Sequence, residues 1–213
     1  MRSGMAMWHL DRAVGETRGR RPPTPAGRHL LAWWLIGVAI LLGPPAASQS
    51  KATDMLAGLY LIGYPPGTKP PDFAGGTIEG QKVSLAGLQG RVVLLNFWAS
   101  WCRDCRTEMP MLEQLHRDLA AQGLTILGIN VREGTRTVRR YADELDLTFP
   151  LVLDQKGKIT ASYGVIGLPT TFLIDRDGRP IALAIGPRHW DAAPARAIIQ
   201  TLLAEPTVGE EPR

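Results

Sequence analysis

Two cysteines, Cys102 and Cys105, stand two residues apart at the end of an apolar run, Val92-Val93-Leu94-Leu95-Asn96-Phe97-Trp98. The run reads as a fully buried strand. The stretch beyond the cysteines, with Met109, Leu112, Leu115 and Leu119 at three- and four-residue spacing, reads as a helix. A thiol at a strand-to-helix junction meets unpaired backbone N–H groups and the positive end of the helix dipole, so its thiolate is favoured. A second thiol about one turn further on can close a disulfide with the first. This is equipment for dithiol–disulfide exchange.

Other uses of the pair are weaker. A zinc site needs four ligands, and His9, His29, His116 and His189 supply no second pair at finger spacing. A disulfide kept only for stability would close too small a loop to matter, and two cysteines are no disulfide framework. No metal or cofactor is expected.

The elements around the pair follow from periodicity and breakers. Thr77-Ile78 and Lys82 to Leu85 flank Glu79-Gly80-Gln81 as a hairpin. The buried strand is expected from Arg91 to Phe97, and the helix after Cys102 should kink at Pro110 and stop at Gly123. A strand from Leu124 to Asn130 precedes a helix that presents Val138, Tyr141 and Leu145. Pro150 to Leu153 is a short strand, and Lys158 to Tyr163 a brief helix. Thr170 to Asp175 and Pro180 to Gly186 form a second hairpin around Asp177-Gly178. A last helix, Ala192 to Ala204, buries Ala195, Ile198, Ile199, Leu202 and Leu203. This order describes an α/β sheet covered on both faces.

At 213 residues and 45% hydrophobic the chain can bury one substantial core besides a tail or anchor. Much of its positive excess, within a net charge of +4, lies at Arg2, Arg12, Arg18, Arg20, Arg21 and Arg28. The remainder is near balance, which leaves no basic face for nucleic acid. Residues 1–29 read as a disordered basic region. Residues 30–48 hold the uncharged run Leu30 to Gly43, shorter than the roughly 20 residues of a spanning helix. It fits a signal-peptide core with Ala46-Ala47-Ser48 as a cleavage site, or, counted on to Ser48, an uncleaved anchor. In both cases the arginines before it keep the N-terminus in the cytoplasm and send the rest across the inner membrane. Residues 49–71 are expected to be a linker, 72–204 the folded domain and 205–213 a polar tail.

The motifs together resemble a known family. Leu95-Asn96-Phe97-Trp98-Ala99-Ser100-Trp101-Cys102-x-x-Cys105, then Glu108-Met109-Pro110, then Gly164-Val165-x-Gly167-Leu168-Pro169-Thr170-Thr171-Phe172 are similar to the TlpA/ResA-like, thioredoxin-fold thiol–disulfide oxidoreductases. Cys-x-x-Cys alone is a weak signal; Gly-x-Pro-Thr roughly 60 residues later makes it specific. The resemblance implies a thioredoxin-like fold, a central mixed sheet with helices on both faces and an N-terminal β-hairpin addition, covering about Pro71 to Ala204. It implies that Pro169 is cis and that Leu168 offers its backbone N–H and C=O to an incoming chain in strand-addition style.

By placement Cys102, the more exposed thiol, attacks and Cys105 resolves. Glu108 lies three residues on from Cys105, on nearly the same helix side. The resemblance places it by the active site, where a carboxylate could exchange the resolving thiol's proton. Asn96 stands where cytoplasmic thioredoxins carry a buried aspartate, and an amide cannot titrate. Arg103 should stabilise a Cys102 thiolate while Asp104 opposes it. Trp101 should shield the disulfide and offer substrate an apolar surface; Trp98 belongs in the core. His116 and His189 read as surface histidines.

The function these features imply is an exported protein-disulfide reductase, either inner membrane-anchored with its domain in the periplasm or soluble there. Its implied clients are apocytochrome c or copper-site assembly proteins, with electrons from a CcdA- or DsbD-type membrane partner. A copper-site assembly or metal-carrier protein would need wider cysteine spacing and a histidine ligand, for which His189 is the candidate. A thiol peroxidase would need threonine or serine where Ala99 stands.

Overall fold

The computed structural model describes residues 58–207. The segments expected at 1–29 and 30–48 lie outside the described residues, as does most of the tail. Among the described residues no helix is long and apolar enough to cross a membrane. In chain order the strands are β1 (Ile62–Gly63), β2 (Ala74–Gly76), β3 (Lys82–Ser84), β4 (Val92–Trp98), β5 (Leu124–Val131), β6 (Leu151–Asp154), β7 (Thr170–Ile174) and β8 (Pro180–Ile185). The helices are α1 (Arg103–Leu119), α2 (Thr135–Glu144), α3 (Lys158–Ser162) and α4 (Ala193–Ala204).

β4 is buried at every residue, as its unbroken apolar run requires. It sits inside a six-stranded sheet of order β1-β8-β7-β4-β5-β6, parallel to β5 and antiparallel to β7. Its alternation serves two cores. Val92, Leu94 and Trp98 join α1 residues Met109, Leu112 and Leu115 and α4 residues Ile198 and Ile199 on one face. Val93, Leu95 and Phe97 meet Phe73, Ile159 and Tyr163 on the other. Helices therefore cover both faces of a thioredoxin-like mixed sheet.

The β2–β3 hairpin is present, but its first strand lies earlier than expected, at Ala74–Gly76, with Thr77 to Gln81 as the turn. The turn side is drawn to β6: Thr77 bridges Val152, and the Ile78 N–H donates to the Leu151 carbonyl at 3.0 Å. The expected linker also contributes to the sheet. Leu61 is buried and β1 pairs antiparallel with β8, so the domain begins before residue 72. Helix α1 runs unbroken through Pro110 to Leu119 and then tightens into a 3₁₀ turn that ends at left-handed Gly123. Pro110 and Arg106, whose carbonyl loses that N–H partner, are both exposed, where the loss costs little. His116 is partly buried rather than on the surface, its ring 6.2 Å from that of Phe149.

The register places Gly128 of β5 opposite Asn96 of β4, and no side chain fits there. A Cβ on Gly128 would stand 2.7 Å from Leu151 Cδ2 and 2.9 Å from Trp98 Nε1. Gly128→Ala should lower stability by about 1–3 kcal/mol through overpacking. Urea unfolding measures it, and an unchanged midpoint would contradict this packing.

Candidate active site

Cys102 and Cys105 are joined in a disulfide with Cα atoms 5.3 Å apart. Cys102 is the N-cap of α1, extended at φ −80° and ψ 108°, and its Sγ accepts the Cys105 N–H at 3.1 Å. One of the otherwise unpaired donors of the first helical turn thus faces the Cys102 sulfur. Cys102 is 7% exposed and Cys105 fully buried, so of the two sulfur-bearing residues only Cys102 reaches the surface.

The loop before Cys102 is pinned by a carboxylate that sequence reasoning missed. Glu133, just beyond β5, accepts the Ser100 N–H at 2.7 Å, the Ser100 hydroxyl, and Asn130 Nδ2 at 2.7 Å. An acidic residue after a strand carries no local sign of this role, since its partner lies 33 residues away.

The disulfide opens onto a groove of about 770 Å³ whose walls include Trp101, Cys102, Arg132, Ile166 and Leu168. Trp101 is 71% and Ile166 94% exposed, two apolar side chains left facing water beside the sulfur. Arg103 and Asp104, also exposed, line the same groove. Opposite them Arg132, held at φ 62°, lies across Gly157 so closely that a Cβ there would stand 2.7 Å from its Nε. The Leu168–Pro169 bond is cis. Pro169 is braced by the Gly186 N–H, 2.8 Å from its carbonyl. Leu168 lies just before β7, and among the described residues its own N–H and C=O have no backbone partner.

Glu108, three residues on from Cys105 in α1, is 1% exposed. Its Oε1 accepts Trp190 Nε1 at 2.6 Å and the Arg188 backbone N–H at 3.1 Å. Its Oε2 accepts Asn96 Nδ2 at 3.0 Å, and the same amide nitrogen donates to Thr171 Oγ1 at 2.9 Å. Burial raises the Glu108 pKa from the ordinary 4.5 to about 7, against the opposing pull of the Arg188, Trp190 and Asn96 hydrogen bonds. Glu113, on the same helix, shows what would have been needed to avoid this. Burial pushes it up too, but Thr148 and the Arg117 guanidinium outweigh burial and leave its pKa lowered. Among the described residues no group of three His, Cys, Asp or Glu side chains could hold a metal ion.

The AhpC/TSA family pattern matches residues 66–179, more than half of the chain. The chain belongs to that family. The thioredoxin-like protein YneN of Bacillus subtilis is 42% identical over 120 residues, 55% of this chain and 69% of that protein. The thiol–disulfide oxidoreductase ResA of Geobacillus thermodenitrificans is 42% identical over 113 residues, 53% of this chain and 65% of ResA. The crystal structure of a putative thiol:disulfide interchange protein DsbE from Chlorobium tepidum superposes with a TM-score of 0.60 at 35% identity, covering 64% of this chain and 96% of that one. StoA from Bacillus subtilis gives 0.52 at 29%, covering 62% and 96%. This member of the family is a thiol–disulfide oxidoreductase, and the match spans about two thirds of each of those relatives by sequence.

The family pattern ends at residue 179, short of Arg188 and Trp190, which complete the carboxylate's surroundings. The one sequence signal for them was a tryptophan isolated near the C-terminal helix.

Because the folded-state pKa of Glu108 is raised, the folded chain binds more protons than the unfolded chain between about pH 4.5 and 7. Stability is therefore full below that window and falls as pH rises through it, by a total on the order of 3 kcal/mol. Urea unfolding of the oxidised protein at pH 5 and pH 8 should show this loss, and E108Q should lack it. Equal pH dependence in the two proteins would contradict the buried, neutral-donor environment.

Proposed function

We propose that this oxidoreductase is an exported protein-disulfide reductase that works on client proteins outside the cytoplasmic membrane. The observation that carries the reading is the N-cap disulfide opening onto an apolar groove beside the unpaired backbone of Leu168. Export is supported by the arginine-flanked apolar run at 30–48, and relatives from Corynebacterium glutamicum and Mycobacterium tuberculosis are described as secreted.

In the reduced protein the Cys102 thiolate attacks one sulfur of a client disulfide. The client S–S bond breaks, and its other sulfur leaves as a thiolate that takes a proton. Cys105 then gives its proton to Glu108 and attacks Cys102 Sγ. The mixed disulfide breaks, the second client sulfur leaves and is protonated, and two electrons have passed from the cysteine pair to the client. Oε1 of Glu108 already accepts two N–H bonds and Oε2 one, so Oε2 is the atom with room for the proton. A carboxyl that titrates near neutral pH suits both directions of that transfer.

Leu168 adds the client backbone as a short strand, while Trp101 and Ile166 cover the apolar residues beside its cysteine. Arg103 and Asp104, of opposite sign at the groove mouth, tune the Cys102 thiolate. Clients of the apocytochrome c or copper-site assembly class, and a CcdA- or DsbD-type dithiol that restores the reduced pair, complete the cycle. Peroxide reduction is the poorer reading, because the residue three before Cys102 is the buried apolar Ala99.

Cys105→Ser should leave clients covalently held on Cys102 and released by dithiothreitol, whereas Cys102→Ser should hold none and lose insulin-disulfide reduction. Mass spectrometry of affinity-purified protein reads both, and clients trapped by Cys102→Ser would overturn the assigned order. Trp101→Ala should lower kcat/KM for a disulfide-linked peptide about tenfold, mainly through KM, the equivalent of losing one buried apolar side chain. Steady-state kinetics with unchanged KM would remove Trp101 from the docking surface.

A further inference from the structure

Arg188 has two separate jobs in the structure. Its backbone N–H donates to Glu108 Oε1 at 3.1 Å. Its guanidinium grips the start of the described chain: Nε donates to the Leu59 carbonyl at 2.9 Å and Nη2 to the Tyr60 carbonyl at 3.0 Å. Nη1 turns back on its own loop, to the Pro187 carbonyl at 2.8 Å and the Gly186 carbonyl at 3.2 Å. Two residues on, the fully buried Trp190 delivers its indole N–H to the same Glu108 oxygen.

The segment that carries both donors, Gly186 to Ala192, joins β8 to α4 and has no ladder of its own. It is tied down by the Gly186 N–H on the Pro169 carbonyl, by the turn from Ala192 to His189, and by the Arg188 guanidinium. The guanidinium meets four carbonyls on two chain segments with fixed donors on three nitrogens, whereas an ammonium group has only three donors on one atom. The grip falls two residues before β1, where the preceding chain enters the sheet.

We propose that Arg188 and Trp190 are positioning residues that orient Glu108, and that the Leu59–Tyr60 backbone holds them in place by way of the Arg188 guanidinium. The inference rests on the reading of Glu108 as the proton-carrying group. Both donors point to Oε1, which keeps Oε2 available and sets how strongly the carboxylate is favoured over the acid. The segment that leads out of the domain toward the N-terminal region is then part of the redox apparatus and not a passive tether. The charged group acting on Glu108 is the Arg188 guanidinium itself. Cys105 lies one turn back on α1, β4 and β7 offer the uncharged Asn96 and Thr171, and the loop carries exposed His189 between the two donors.

The test is a ¹³C NMR titration of the Glu108 carboxyl in the oxidised full chain, compared with W190F and R188K. Removing the indole donor should raise the apparent pKa by about one unit, a tenfold gain in proton affinity. Lysine keeps the charge but, with three donors on one atom, cannot make all four bonds of the grip, so R188K should move the titration in the same direction, and Arg188→Ala by at least as much. Titrations that stay at the wild-type value in W190F and R188K, with only the melting temperature lowered, would overturn the proposal by making both residues merely structural. R188K alone at the wild-type value, with Arg188→Ala shifted, would show that charge and not the grip on residues 59–60 acts. R188K is the safer variant if W190F does not fold. The proton-carrier reading fails separately, if E108Q reduces client disulfides with the wild-type pH profile.

Discussion

A carboxylate buried one helical turn beyond Cys105, with three neutral hydrogen-bond donors and, among the described residues, no hydrogen bond from an ammonium or guanidinium, is the least compensated interaction in the interior. Burying charge is expensive unless it is paired, and Glu108 is only partly compensated, by an amide, an indole and a backbone N–H. The consequence is a buried group whose pKa is raised to about 7. Stability is given up for this: Glu113 shows that the same helix can bury an acid and keep it ionised when Arg117 is supplied.

The sheet explains why the remaining parts meet. β4, β5 and β6 are parallel, so the residues beyond their carboxyl ends share one rim. Cys102 follows β4, Arg132 follows β5 and Gly157 follows β6. β7 runs antiparallel to β4, which brings its amino end, with Leu168 and cis Pro169, to the same rim. The groove is the crevice outside these strand ends, where an open α/β sheet leaves room for ligands. Glu133 fixes the Ser100 end of the cysteine loop, and Gly186 fixes Pro169. Two of the segments that frame the groove are therefore held by bonds to a neighbouring strand or its loop.

The parts legible in the sequence were those written in consecutive residues. β4, the Cys-x-x-Cys helix start and the Gly-x-Pro-Thr loop each carry a local pattern, and the structure places all three together as expected. Trp98, expected in the core from its residue type, is buried, and Trp101, expected to offer an apolar surface, is exposed. What escaped was written in pairs far apart. The Glu108 contacts span 80 and 82 residues, and Ser100 to Glu133 spans 33. No period or spacing announces such bonds, because the fold and not the neighbouring residues brings the partners together. β1 escaped for another reason: a two-residue strand has too few positions to show alternation, and the prolines after it read as a linker. The first strand of the β2–β3 hairpin was misplaced because Ala74-Gly75-Gly76 has little β-propensity, and Gly75 is there for its close approach to Val152.

The most direct measurement of the central claim is the reduction potential of the Cys102–Cys105 pair as a function of pH in the wild-type protein and E108Q. Each proton taken up with the electron pair contributes a slope of about 30 mV per pH unit. If the buried carboxyl exchanges a proton with the pair, the wild-type slope changes near pH 7 and that change is missing from E108Q. Superimposable curves across the neutral range would contradict the account, because Glu108 would then be indifferent to whether the two sulfurs are bonded or free.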